Sequence, residues 1–414
     1  MTTGNKSLDA DIAVIGAGVA GLTAARQLRS QGKSFVLLEA SHRIGGRAYT
    51  ENLQPGVPFD LGAHWIHSDE INPFTQIAQQ LGAVLKTERE HYVAGDYFED
   101  DHWLSNSARA DFVGYFEKQF QRIGAAANNG DDRAVLEVID NDSRWAPYFY
   151  LFFAQNYVCD VDMISACDAA AYVEQGRDLA VASGLGNLVT AWGNDVPVSL
   201  NSAVAEIDTT GPHIKVTTSR GMLNVSKVIL TVSTGVLANR QIRFLPELPD
   251  WKLDAIRNLP MGSCTRVALG IEAPILHELP VEFTVRRGND EPVHFRNRSG
   301  GQDYLEITAG GRLGEWMEKS GEGATLDFIL DRLRHVLGNS ARPTVPRKIV
   351  SAWDGDEWTR GSYSYAIPGG HAQRRRLAEA IDDRIFFAGE ATSTDYYATV
   401  HGASFSAKHA VSLL

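Results

Sequence analysis

The chain is short of cysteine, of basic charge and of long apolar runs, and each shortage removes a class of protein. Cys159, Cys167 and Cys264 are the three cysteines in 414 residues. An odd number, with no CxxC pair and no histidines at zinc spacing, excludes a disulfide framework and a zinc module. Free thiols in a reducing compartment are expected, and no metal. Lys and Arg number 39 against 51 Asp and Glu, a net charge of 39 − 51 = −12. Phosphate binding rests on clustered Lys and Arg, so no nucleic-acid partner is expected; a weak negative field would suit cationic small molecules. The apolar run Ile12–Ile15 is far too short to span a membrane. Met1–Ala10 lacks the basic and apolar regions of a secretory leader. The expectation is a cytoplasmic protein with no membrane partner and about two to three domains. Its oligomeric state is not legible.

What is present is concentrated near the start. Ile12-Ala13-Val14-Ile15 leads directly into Gly16-Ala17-Gly18-Val19-Ala20-Gly21, which reads as strand, tight turn and helix. Helically spaced Leu22, Ala24, Ala25 and Leu28 carry the helix to Gly32, and a second apolar run, Phe35–Leu38, closes on Glu39. In such a βαβ unit Gly16 allows the sharp turn, Gly18 lets backbone approach a pyrophosphate, and Gly21 lets helix pack on strand. Glu39, 18 residues after Gly21, is placed to accept hydrogen bonds from ribose hydroxyls. Strand, glycines, helix and terminal acid agree on dinucleotide binding.

Farther on, the spacing predicts mostly helices from about Pro73 to Ala191, with Phe74–Leu81, Ala110–Ile123 and Trp145–Tyr157 the clearest. Strands follow at Val204–Ile207, Ile214–Thr218, Val225–Val232 and Arg384–Ala388, and a final helix runs from Gly402. No repeat or low-complexity linker separates these parts, so two folding units interleaved in sequence are expected.

The glycine motif alone leaves NAD and FAD undivided. Ser41-His42-Arg43-Ile44-Gly45-Gly46-Arg47 then places a second glycine pair and two cations beyond the second strand, a second clamp for the same pyrophosphate. Two clamps suit a cofactor that stays bound, as a flavin does. At this point the chain resembles the flavin-containing amine oxidases. Glu39–Arg47 matches their ExxxRxGGR element. The likeness continues in Leu61–His67, Val228–Val236, Arg243-Phe244, Trp251-Lys252, Arg360–Tyr365, Phe387–Thr392 and Tyr396–Ala403. The GAHWIH, RGSYSY and YYATVHGA segments look most like polyamine oxidases and lysine-specific histone demethylases, whereas residues 85 to 185 carry no motif of the family.

The resemblance implies an α/β fold: a Rossmann-type FAD-binding domain (residues 1–75, 192–262 and 376–414) interleaved with an α+β substrate-binding domain (76–191 and 263–375). It implies FAD held by Gly16, Gly18, Gly21, Glu39, Arg43, Gly46, Arg47, the turn Gly62, Ala63, His64 and Trp65, the backbone at Val204, and Thr399 and Val400 at the start of the last helix. Gly389 and Glu390 fit the same scheme, offering a close backbone approach and an acceptor for ribityl hydroxyls; otherwise they form a solvated loop. Trp353 packs near the flavin or is simply core. Ser362 stands where some members carry a cysteine bonded to the flavin, so non-covalent FAD is expected.

The implied reaction moves a hydride equivalent from the carbon beside an amine nitrogen to flavin N5. It gives an imine that water hydrolyses, and hydrogen peroxide once O2 takes the electrons. Such chemistry belongs to the cofactor and requires no nucleophile. Tyr363 would be one wall of an aromatic cage for the amine, or a core tyrosine with a satisfied hydroxyl. Thr399 stands where the opposite wall is often aromatic, which favours longer or bulkier amines, and Tyr397 adjoins it. His67 would contact a distant amino group, or is a hydrogen-bonded loop histidine.

One position departs from the family. Arg266 aligns with a lysine that holds a water at flavin N5, and Arg stays charged where Lys can lose its proton. Arg266 therefore positions that water, or binds a substrate carboxylate, or lies at the surface one residue out of register. The first outcome suits an oxidase of polyamine-like or other secondary amines, the second an L-amino-acid oxidase. A flavin-binding protein with little turnover is the reading outside catalysis.

Overall fold

The computed structural model describes residues 8–87, 95–298, 303–338, 341 and 343–414. Strand β1 (Ile12–Ile15), helix α1 (Val19–Ser30) and strand β2 (Phe35–Leu38) form the expected unit. β1 is central in a four-stranded sheet, flanked by β2 and by Lys227–Leu230, with Ile385–Phe387 beyond; every pairing is parallel. Parallel strands are buried on both faces, which is why these runs are unbroken and apolar. On one face α1 and the terminal helix Val400–Ser412 pack together, with Leu22, Ala25 and Leu28 in one core with Ala407 and Val411.

On the other face lies a second sheet, in the order Gly221–Val225, Ile214–Thr218, Val204–Asp208, Arg243–Leu245. The single strand expected over Val225–Val232 is thus two strands in two sheets. The amides of Ser226 and Lys227 both donate to the Asp11 carbonyl, at 2.9 and 3.1 Å, and the chain changes sheet there. An apolar run shows only that both sides of this step are buried.

A seven-stranded sheet forms the other half of the molecule. Its order is Arg347–Val350, Cys264–Gly270, Tyr304–Gly310, Val293–Asn297, Glu282–Arg286, Asp96–Glu99, His102–Trp103. One face is apolar, with Val267, Leu269, Phe283, Phe295, Leu305 and Ile307 packed against the helix Gly311–Leu337. Since side chains alternate along a strand, the opposite face carries Glu306, Arg296 and Glu282, which are cross-strand neighbours. Helices Pro73–Gln80, Asn106–Asn128 and Ala146–Tyr157 match the expectation for the middle of the chain. The same stretch also holds the strands Leu85–Thr87, Asp96–Glu99, His102–Trp103 and Leu179–Val181. These are too short to show a period; distant strands supply the partners of all but His102–Trp103, which pairs with the adjacent Asp96–Glu99.

The Trp251-Lys252 motif has a structural task. Fully buried Lys252 donates from Nζ to the carbonyls of Arg376, Leu377 and Glu379 at 2.9, 2.8 and 2.6 Å. It satisfies the C-terminal end of the helix Gln373–Ala378, where a cation is favoured, just before the Ile385–Phe387 strand. Gly21 is equally constrained: a Cβ there would fall 1.8 Å from the Gly16 carbonyl oxygen. Gly21→Ala is therefore expected to cost about 1–3 kcal/mol, the range for an overpacked site, and to lower the calorimetric melting temperature. An unchanged melting temperature would contradict this packing of helix on strand.

Candidate active site

A cavity of about 1220 Å³ opens at the C-terminal ends of the parallel strands, where α/β folds bind dinucleotides. It exceeds the roughly 300–1,000 Å³ of an ordinary small-molecule pocket, leaving room for a dinucleotide and a second ligand. Every site residue named from the sequence borders it except Gly21, which packs beneath Gly16.

On the parallel-sheet side, Gly16 takes φ +101°, a conformation that favours glycine. Gly18 is the N-cap of α1, with no side-chain cap and no acid in the first turn, so the helix dipole is left for an external anion. The second glycine loop faces it: the Gly45 amide donates to the Ala17 carbonyl at 2.9 Å. A Cβ on Gly46 would come within 3.3 Å of the Gly18 Cα. Side chains at these glycines would fill the gap between the loops, which is a cradle suited to a pyrophosphate. Glu39 binds the loops from below, accepting from the Ala17 amide at 2.6 Å and the Ser41 amide at 2.8 Å. A carboxylate accepts about four hydrogen bonds, so Glu39 keeps capacity for a ligand hydroxyl.

The two arginines of the loop are already engaged. Arg43 donates to the Gly46 carbonyl at 2.7 Å and lies over the Tyr49 ring at 3.9 Å. Arg47 donates from Nη1 to the Ser362 carbonyl and to Glu390 Oε1, both at 2.9 Å. Glu390 also accepts from the Ser364 amide and hydroxyl and from the Ala398 amide. Its carboxylate is filled by protein donors. It is the tie between three chain segments and not a solvated loop, and Gly389, at φ +138°, offers the backbone approach. Trp353 donates from Nε1 to the Leu61 carbonyl at 2.8 Å and braces the Gly62 turn. His64 is held by Asp60 at 3.1 Å, and Val204, Trp65 and Val400 complete this part of the lining.

The other walls come from the second half. The Tyr363 hydroxyl donates to the Asn156 carbonyl at 3.2 Å while its ring borders the cavity. The Tyr397 hydroxyl donates to the Asp168 carbonyl at 2.8 Å, so it offers a ligand only its ring. Thr399 Oγ1 accepts from the Gly402 amide and donates to the Tyr396 carbonyl. That hydroxyl is spent capping the last helix, which leaves it no proton to give to a substrate.

The family model of flavin-containing amine oxidoreductases matches residues 19–414. The chain belongs to that family. Among its relatives, polyamine oxidase 3 of Oryza sativa subsp. japonica is 31% identical, over 94% of this chain and 86% of the relative. Polyamine oxidase 2 of Arabidopsis thaliana is 29% identical, over 96% and 86%. Lysine-specific histone demethylase 1 homolog 2 of Oryza sativa subsp. japonica is 30% identical over 96% of this chain and 56% of its own length. A putrescine oxidase variant with redesigned cofactor binding shares the fold at TM-score 0.78 and 20% identity, with 98% of each chain covered. The chain is thus a flavin amine oxidase of the polyamine oxidase-like kind.

In this amine oxidase Arg266 is not at the surface. It is buried on the Cys264–Gly270 strand, ion-paired through Nη2 with Glu306, and its Nη1 donates to the Gly62 carbonyl at 3.1 Å. Sequence reasoning missed Glu174 and Asp178, which sit in a motif-free loop before Leu179. His67 Nδ1 contacts Asp178 Oδ2 at 2.8 Å, and ligand atoms of His67, Glu174 and Asp178 lie within 4.8 Å of one another beside the cavity. Asp178 Oδ1 is buried with no partner among the described residues. Phe120 and Phe152 also line the cavity, in stretches where the sequence showed only helices.

Behind Tyr397 lies a fully buried ion pair. Arg374 donates to both Asp168 oxygens at 2.7 and 2.8 Å, donates to the Ser364 hydroxyl, and stacks on the Tyr397 ring at 3.8 Å. Burial alone would raise the Asp168 pKa, but the Arg374 charge and hydrogen bonds outweigh it and hold the carboxyl at about 2. A depressed carboxyl stabilises the fold above its unfolded pKa and loses that contribution as pH falls through its folded one. Asp168→Asn is therefore expected to cost about 3–5 kcal/mol at neutral pH, since it strands a buried guanidinium. In urea unfolding the gap to the parent should narrow by about 2 kcal/mol between pH 4 and pH 2. A gap constant with pH would contradict the pairing.

Proposed function

We propose that the protein is a cytoplasmic FAD-dependent oxidase of polyamine-like or other secondary amines, releasing an imine and hydrogen peroxide. One observation carries this reading: a single cavity joins the two-loop phosphate cradle to a wall bearing Tyr363, His67, Glu174 and Asp178. When bound, FAD supplies the acceptor for the hydride from the amine carbon and passes the electrons to O2. Gly16, Gly18, Gly46 and the α1 N-terminus would hold its pyrophosphate, Glu39 a ribose, and the Val400 end of the last helix the flavin side. Ser362 Oγ accepts from the Cys264 amide at 2.9 Å and has no sulfur for a thioether, so the cofactor is held without a covalent bond. The division into 1–75, 192–262 and 376–414 against 76–191 and 263–375 is drawn differently by the packing: helix Pro73–Gln80 crosses the first boundary, and Leu179, Leu185 and Val189 join the core of the parallel-sheet half.

The chain's own residues then bind, orient and exclude water. The rings of Tyr363, Tyr397 and Trp353 wall the cavity in apolar surface, and a ring face favours an amine. The acid pair with His67 accepts a distant ammonium, which the unpartnered Asp178 Oδ1 in particular would satisfy. Arg266, tied to Glu306 and the Gly62 carbonyl, is a fixed donor on the cavity wall. Its pairing weighs against the amino-acid oxidase reading, in which it would receive the substrate carboxylate.

Anaerobic mixing of the purified yellow protein with spermine, acetylated polyamines, monoamines and amino acids tests this. Flavin absorbance should bleach with polyamines and not with amino acids. No bleaching by any amine would contradict catalysis altogether. Removing both charges in Glu174→Gln/Asp178→Asn should raise the spermine KM tenfold or more, the value of a charge-assisted contact of about 1.5–3 kcal/mol. kcat should change little, and an unaltered KM would place the distant amine elsewhere.

A further inference from the structure

We propose that Glu306 is a specificity-determining residue: by occupying the Arg266 guanidinium it denies the cavity to molecules that carry a carboxylate. The inference rests on the amine-oxidase reading and adds what excludes the neighbouring substrate class.

The geometry is set by strand register. Arg266 lies opposite Thr308, and Ala268 opposite Glu306, on the antiparallel strands Cys264–Gly270 and Tyr304–Gly310. Arg266 and Glu306 are therefore diagonal neighbours on one face, within reach of a long side chain. That face meets the cavity at Cys264, Arg266 and Thr308. The side chains of Arg266 and Glu306 are 7% and 4% exposed. An arginine fork is the usual receptor for a carboxylate, and on a buried cavity wall an uncompensated one would attract any anion of suitable size. Here Glu306 Oε1 accepts from Arg266 Nη2, and Oε2 accepts from Arg298 at 2.9 and 3.1 Å.

Among the described residues the charges at this wall are paired. Arg266, Arg296 and Arg298 meet Glu306, Glu282, which pairs with Arg296, and Asp60, which pairs with His64 beside Arg298. An incoming carboxylate would have to take Arg266 from Glu306 and leave a buried acid short of a partner, which is strongly unfavourable. A cation entering the same cavity meets no such barrier and finds acids at its far end. The substrate class follows as amines without an α-carboxylate.

Benzoate is the probe. It is titrated by calorimetry into the FAD-loaded parent, Glu306→Asp, Glu306→Gln and Glu306→Gln/Arg266→Met, with the visible flavin spectrum as a second readout. Glu306→Gln should bind benzoate at least tenfold more tightly than the parent. Glu306→Asp, which keeps the charge, should resemble the parent, and the added Arg266→Met should abolish the gain. If Glu306→Gln does not fold, Glu306→Gln/Arg298→Gln removes the second facing guanidinium and carries the same expectation. Benzoate affinity equal to the parent's overturns the proposal, as does a gain that survives Arg266→Met, or bleaching of the parent by amino acids. Benzoate binding needs no turnover, so a parent inert to every amine would sink the catalytic reading without deciding this one.

Discussion

The Glu390 carboxylate is the point on which the cavity depends. Its four protein donors come from Arg47 in the second glycine loop, from Ser364 beside the Tyr363 wall, and from Ala398 before the last helix. Arg47 is more than 300 residues from Glu390 and Ser364 is 26 away, so chain connectivity alone does not bring them together. A buried carboxylate must be fully hydrogen-bonded or it costs several kcal/mol. The requirement acts in both directions: Glu390 gathers its donors, and the donors fix the loop, the wall and the helix start around one space. Arg374 extends the tie, joining Ser364 to Asp168 and the Tyr397 ring.

A second constraint comes from the seven-stranded sheet. Its apolar face buries a long helix, while its charged face is pressed against the turn that carries His64 and Trp65. Arg296 lies over the Trp65 ring at 5.1 Å, Arg266 over Phe59 at 5.1 Å, and Arg298 reaches His64. Burying charges on a sheet face is costly unless each is paired, and here each has a counter-charge. The result is a wall of paired charges against that turn.

Most of the parallel-sheet half was legible because its chemistry is local. Gly16, Gly18, Gly21 and Glu39 lie within one βαβ unit, and each responds to a backbone need readable at short range. Glu390 was noticed, but the tie it makes was not, since Arg47 and Ser364 lie far from it in sequence. The capping role of Thr399 appeared only with the structure, where its hydroxyl accepts from the Gly402 amide. Glu174 and Asp178 were invisible because only the pairing of Leu179–Val181 with Trp65–Ile66 brings their loop to His67. Glu306 was invisible for a related reason: its partner is chosen by strand register, which one sequence does not display.

The central claim is that one cavity holds both the cofactor and the amine, with the halves of the molecule as opposite walls. A crystal structure of the purified protein with spermine under anaerobic conditions tests it most directly. The account requires FAD running from Glu39 past the Gly18 and Gly46 backbones to Val400, and spermine between Tyr363 and the His67, Glu174 and Asp178 group. Flavin elsewhere, or an amine bound away from that group, would contradict it.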